Sequence, residues 1–169
     1  VETACLMHDI GNPPFGHFGE FAISEWFKIN GVDALKCAFE ASGVAGAETY
    51  KNQALADFIE FDGNPQGIRI VTKLQRNNDE FGLNLTKTTL AAYLKYVRTS
   101  GIKPEEVYSP FVKKCGYFST EVDIVESVWR EFCYNSPQRY PLAYIMEAAD
   151  DIAYCISDLE DSIEKGLLN

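Results

Sequence analysis

Ala4-Cys5-Leu6-Met7-His8-Asp9-Ile10-Gly11-Asn12-Pro13-Pro14-Phe15-Gly16-His17-Phe18-Gly19-Glu20 carries both histidines of the 169-residue chain. Adjacent His8 and Asp9 offer an imidazole nitrogen and a carboxylate, a donor mix suited to a divalent ion such as Mn, Fe, Co, Ni or Zn. The Gly11-Asn12-Pro13-Pro14 run cannot continue a helix, since each proline lacks a backbone donor and restricts the residue before it. The His-Asp pair is therefore expected where a helix ends. His17 and Glu20 follow after the turn, one helical turn apart, and can point into one cavity. That spacing makes His17 a candidate general acid or base whose other ring nitrogen Glu20 orients. The plainer alternative is a loop histidine that satisfies a backbone carbonyl.

Outward from this stretch the chain reads as helical. The residues before His8 read as the inside of a helix. Residues 18–30 are expected to form another, with Phe21, Ile23, Trp26 and Phe27 apolar and Gly31 as its stop. Residues 31–46 read as loop or short helices, and 52–61 as a helix broken by Asp62-Gly63-Asn64-Pro65. Residues 66–74 fit helix or strand, with context favouring helix. Leu90, Tyr93, Leu94 and Val97 recur at helical spacing within 86–98. The segment 100–118 is turn-rich, with Pro104 and Pro110. Residues 120–132 are expected as a helix opened by a Thr120-x-x-Asp123 capping box. Pro141 suits the first turn of a last helix running to about residue 165. No alternating strand, internal repeat or linker is evident.

On that last helix Asp150, Tyr154 and Asp158 fall at i, i+4 and i+8 and line one face. Ile145, Ile152, Ile156, Leu159 and Ile163 occupy other faces and can pack. Solvation explains Glu160, Asp161 and Glu164 well. It explains Asp150 less well, because Ala148, Ala149, Ile152 and Ala153 surround it.

Composition bounds the function. A chain of this length buries one ordinary core, so one domain is expected. Its 46% apolar and 24% charged residues have a soluble globular profile. No apolar run approaches the ~20 residues of a membrane span, and no basic-then-apolar leader opens the chain. Five scattered cysteines (5, 37, 115, 133, 155) without Cys-x-x-Cys spacing argue against a zinc knuckle or a disulfide framework. They fit a reducing cytosol, and a cytoplasmic location is the expectation. A net charge of -10 argues against a broad nucleic-acid footprint. A metal and a few lysines or arginines can still reverse the potential locally, within ~8–10 Å.

The string from His8 to Glu20 closely resembles the HD superfamily of metal-dependent phosphohydrolases, in particular its deoxyguanosine triphosphate triphosphohydrolase (dGTPase) branch. The resemblance implies an all-α, HD-domain helical fold. Residues 1–169 would form part of a single such domain, truncated at the N-terminus and at the C-terminus. Ala149-Asp150-Asp151-Ile152-Ala153-Tyr154 and Asp158-Leu159-Glu160-Asp161 look like the family's late helix. The likeness implies that His8, Asp9 and Asp150 are metal ligands, with Asp151 left open as the alternative to Asp150. It also implies that Tyr154 contacts the nucleotide and that Asp158 accepts from the sugar 3'-hydroxyl. Phe61-Asp62-Gly63-Asn64-Pro65-Gln66-Gly67-Ile68-Arg69 resembles a family stretch beside the active site. There Asn64 and Gln66 would donate to phosphate oxygens, and Arg69 would either contact phosphate or stay solvated. The family's first metal histidine precedes the His-Asp pair. This chain has no candidate for it, so that ligand is expected outside the chain, and the isolated chain is expected to be impaired.

The implied activity is metal-dependent hydrolysis of a dNTP, dGTP first, to deoxynucleoside and triphosphate, with Mn, Mg, Fe or Co as the divalent metal. Implied partners are the dNTP substrate, further copies in a homo-oligomer and a single-stranded DNA effector of the full-length protein, with no membrane. The alternatives are another HD nucleotide phosphohydrolase or phosphodiesterase, and a non-catalytic dNTP-sensing or assembly module. Neither the base preference nor the metal follows from the residues.

Overall fold

Prolines 13 and 14 and glycines 11 and 16 divide the first two helices, and the computed structural model, which describes residues 1–43, 47–76, 79–106 and 111–168, bears this division out. Helix α1 spans Glu2–Met7 and ends with His8 as its C-cap. Phe15 (φ 68°) and Gly16 (φ 53°) then reverse the chain in left-handed conformations, a strained choice for phenylalanine. Helix α2, His17–Ser42, starts immediately afterwards.

Gly31 is not a stop. It lies buried inside α2, where a Cβ would collide with Leu55 of α3, Ala47–Ile59. Close packing of the two helices is the reason for the glycine, and Phe27 stacks on Phe58 across the interface at 4.2 Å. The helix stops at Gly43 instead, in a left-handed cap. Residues 31–42, expected as loop or short helices, continue α2 without a break, and residues 44–46 of that stretch lie outside the described residues, as does Pro110. Asp62 ends the preceding segment and caps α4, Gly63–Arg69, by accepting from the Asn64 amide at 2.9 Å. Helix α4 passes into a π-helical turn at Ile70–Leu74.

Thr86 caps α5, Lys87–Tyr93. The chain then forms β1, Arg98–Thr99, which pairs in parallel with β2, Cys115–Tyr117, with a register irregularity between its two residues. Strands of two and three residues are too short to show alternation, so no strand was expected here. The Arg98 guanidinium ties the connection down through the carbonyls of Ile102 (2.6 Å) and Val112 (2.9 Å) and the Glu60 carboxylate (2.6 Å).

Helix α6, Val122–Glu131, follows a 3-10 turn at Ser119–Glu121. It has no side-chain cap, because the Thr120 hydroxyl is engaged with Glu121 and Arg69; the anticipated capping box does not form. Helix α7, Pro141–Glu164, begins at the expected proline. Among the described residues no helix is long and apolar enough to cross a membrane.

The core gathers Ile68, Val71, Tyr93, Val97, Val125, Trp129 and Met146. Packing of α1 against α5 and α7 sets the end of α1 beside both, while β2 lies along α4. The isoleucines of α7 do not join the core. Ile145, Ile152, Ile156 and Ile163 stay exposed, as do Phe21 and Trp26 of α2.

Candidate active site

The C-cap position fixes His8. Its Nδ1 lies 2.7 Å from the Cys5 carbonyl, which can only accept, so Nδ1 carries the proton. In the neutral ring Nε2 is then a bare lone pair. It faces Asp9 Oδ2 at 3.2 Å and Asp150 Oδ1 at 3.1 Å. Asp150 Oδ1 is buried and has no hydrogen-bond partner. The close approach to His8 is therefore a meeting of acceptors, which a proton or a cation between them would resolve. Nitrogen and carboxylate oxygens from residues 8, 9 and 150 are the donor chemistry of a divalent metal, so the residues present fit one. Among the described residues no group of three or more His, Cys, Asp or Glu side chains is arranged to hold a metal ion, so these three supply the donor chemistry without forming a complete site.

Glu20 holds the second half of the motif. One carboxylate oxygen lies 2.6 Å from His17 Nδ1, and the other accepts from the Gly63 amide at 2.7 Å. Glu20 is 8% exposed, while the His17 side chain is 84% exposed. A buried acid thus anchors an accessible imidazole to the start of α4, leaving Nε2 available for proton transfer.

These groups line one cavity of about 400 Å³, together with Asn64, Tyr93, Lys95, Lys114 and Tyr154. Two lysines bring positive charge into a chain of net charge -10. Lys95 Nζ approaches Asp150 Oδ2 at 3.4 Å and Glu147 at 3.7 Å. Lys114 Nζ donates to Asp62 Oδ2 at 2.6 Å, and the other oxygen of Asp62 receives Asn64 Nδ2 at 2.6 Å. Burial would lower the Lys114 pKa, but the Asp62 hydrogen bond and charge, with Glu20 and Tyr96, outweigh it and raise it.

Sequence reasoning missed both lysines. Lys95 had a signal, as the only charge in the apolar run Leu90–Val97. Lys114 had none, since β2 reaches α4 only through the tertiary fold.

Among the anticipated site residues, His8, Asp9, His17, Glu20, Asn64, Asp150 and Tyr154 share this cavity, and Asp151 lines it too. Asp150, not Asp151, approaches His8. Gln66 and Asp158 lie outside the lining; Asp158 is exposed two turns along α7. Arg69 lies outside this cavity, lining a separate one with Asp57, Lys73 and Glu121, and is not solvated. It bridges Asp57 and Glu121 at 3.3 Å each, bonds the Thr120 hydroxyl at 2.9 Å and covers the Phe118 ring at 4.3 Å.

Comparison with known proteins meets this geometry. The chain is 47% identical over 172 residues to the probable deoxyguanosinetriphosphate triphosphohydrolase of Pseudomonas aeruginosa, across 100% of this chain and 33% of that protein. It is 42% identical over 184 residues to the deoxyguanosinetriphosphate triphosphohydrolase of Klebsiella pneumoniae, across 100% of this chain and 35% of that one. The Serratia proteamaculans enzyme of the same name is 40% identical over 185 residues, with 99% and 35% covered. The chain spans about a third of the length of these curated relatives. The HD domain matches residues 1–97, more than half of the chain and the part that holds His8, Asp9, His17, Glu20, Asn64 and Lys95. With His8 and Asp9 lining a cavity between helices and the HD domain matching residues 1–97, this chain belongs to the HD domain family.

Proposed function

We propose that this chain carries the active-site cavity of a metal-dependent dNTP triphosphohydrolase, acting on dGTP and yielding deoxynucleoside and triphosphate. The observation that carries the reading is the convergence in one cavity of an open His8-Asp9-Asp150 donor set, a buried-acid-anchored histidine and two lysines. The names of the relatives support the substrate. The approach of Asp150 to His8 supports Asp150 over Asp151 as the closing ligand.

When bound at these donors, a divalent metal lowers the pKa of a water and neutralises phosphate charge. The chain's own residues do the rest. Lys95 and Lys114 offset phosphate charge, with Asn64 as a nearby donor. Tyr154, which lines the cavity, offers its ring to the base or sugar. Water adds at the alpha phosphorus, releasing one proton that restores the His17 imidazolium after turnover, and the bond to the 5'-oxygen breaks. That oxygen leaves with a proton, which the exposed Nε2 of His17 donates, while Glu20 stabilises the imidazolium on the other side.

The test uses the chain extended to the length of its relatives, incubated with dGTP and Mn, with products resolved by ion exchange. Deoxyguanosine and inorganic triphosphate in equal amounts are the expected result. Release of a nucleoside monophosphate would move the chain to another phosphohydrolase reaction. Tight dGTP binding without any product would make it a sensing module.

A further inference from the structure

Ala149, Ile152, Ile156, Leu159 and Ile163 recur along α7 at alternating intervals of three and four residues, the spacing of a helix-pairing seam. Helical geometry sets this row opposite Asp150 and Tyr154, so α7 turns one face to the cavity and the seam away from it. The four large seam residues are 55–63% exposed. The start of α7 is anchored by buried Ala143 and Met146. From Asp151 to Glu164, by contrast, every residue but the half-buried Ser162 is exposed. Among the described residues nothing buries this half of the helix. Three isoleucines do not favour an isolated helix, and a helical stretch of this length is marginal in water without a packed face. The seam is built for a partner.

Charge selects the partner. The same half carries Asp151, Asp158, Glu160, Asp161 and Glu164, with no lysine or arginine among them. A second copy pairing seam to seam would bring two such acidic sets together, in a chain whose net charge is already -10. We propose that this face docks a helix from the part of the same polypeptide that lies outside residues 1–169, with its own three-four apolar seam and flanking lysines or arginines. The relatives are about three times as long as the stretch they share with this chain, which leaves ample polypeptide to supply such a helix. It braces α7 from behind, on the side away from Asp150 and Tyr154.

The test is Ile156→Ala in the chain extended to the length of its relatives, read by thermal unfolding and sedimentation velocity. On an open helix face this change is neutral or raises the midpoint, because alanine is the better helix former. In a packed seam it leaves a cavity. The expected result is a midpoint lower by roughly 4 °C or more, with the sedimentation coefficient unchanged. An unmoved or higher midpoint overturns the proposal, and a drop to a smaller assembly replaces it with a second copy on the seam. Should the variant not fold, the parent supplies the answer through Cys155, which is exposed one turn from Ile152. Its alkylation, resolved by peptide mass spectrometry, is expected to be about tenfold slower in the native extended chain than in urea, and equal rates overturn the docking. Glu160→Gln reads the flank: its midpoint should fall below the parent at low salt and meet it at high salt. A midpoint that does not fall overturns the basic partner.

Discussion

Glu20 concentrates two tasks in one carboxylate, since it orients His17 and satisfies the Gly63 amide at the start of α4. Glu20→Ala should therefore lose both: about 1–3 kcal/mol of stability from the orphaned amide, and roughly 10²-fold or more in turnover from the unanchored imidazole. Glu20→Gln separates the two effects. Its amide oxygen can still accept from Gly63, so unfolding stays near the parent, while the charge that favours the imidazolium is gone and kcat still falls. Thermal unfolding measured beside kcat checks this, and full turnover in Glu20→Ala would remove His17 from the chemistry. The two adjacent aspartates are separable in the same way. Asp150→Asn is expected to weaken Mn binding at least tenfold and Asp151→Asn to leave it nearly unchanged, read by metal titration; the reverse order transfers the ligand role to Asp151. At this scale the sequence spoke clearly wherever partners were local. His8, Asp9, His17 and Glu20 occupy one short stretch, and helical spacing says how the last two meet. Lys95 reaches Asp150 across 55 residues and Lys114 reaches Asp62 across 52, distances over which periodicity carries no information.

Helix α4 shows what this blindness does to an element. From sequence it is a break at residues 62–65 followed by a stretch, 66–74, that context reads as helix; in the fold the helix begins at Gly63 and is the hub between the cavity and the α3–α6 side. Its N-terminal end holds Asp62, Gly63 and Asn64 against the site. Its C-terminal end places Arg69 between Asp57, 3% exposed, and Glu121, 0% exposed, in a network that also takes in Lys73, Ser100 and Ser119. Removing one partner of such a buried network leaves uncompensated charge, so Arg69→Ala should cost about 3 kcal/mol of stability. Arg69→Lys should recover only part, because a lysine cannot reach two carboxylates and a hydroxyl with one fork. Tripolyphosphate affinity of the folded variants should stay at the parent value, since Arg69 lies outside the cavity; denaturant unfolding and calorimetry together check both halves, and lost affinity without lost stability would restore Arg69 as a phosphate contact. Helix α2 teaches the same lesson. Gly31 reads as punctuation in one dimension, and only the neighbouring Leu55 shows it to be a packing residue. The helix boundaries at Met7, His17 and Pro141, set by local backbone chemistry, were the most legible part of the fold, whereas Gly43 was passed over for Gly31.

For the molecule as a whole, the distribution of buried acids predicts how stability depends on pH. Cys115, Tyr93 and Tyr117 are 2%, 5% and 5% exposed. Burial is the largest cause in each case, and it pushes all three above their usual values of 9.0, 10.0 and 10.0. The folded protein therefore keeps these protons to higher pH than the unfolded chain does. Where the unfolded chain has released a proton that the folded chain retains, stability falls as pH rises. The decline begins near pH 9, where the unfolded thiol ionises, and steepens past pH 10 with the two phenols. Each group adds at most about 1.4 kcal/mol per pH unit. Lys114 acts in the same direction. Its folded value is raised above 10.5, so the stabilisation from Asp62 is complete below that pH and is lost as pH climbs through the raised value. The net charge of -10 offers a rival cause, since self-repulsion also grows with alkali. The two causes separate with Cys115→Ala. Removing the buried thiol should move the onset from about pH 9 to about pH 10 while leaving the charge at pH 7 unaltered. Urea midpoints for parent and variant, followed by fluorescence between pH 7 and 11, make the comparison. An onset that does not move would assign the alkaline loss to repulsion, and a parent midpoint that stays flat to pH 10.5 would show that the unfolded chain does not release these protons first.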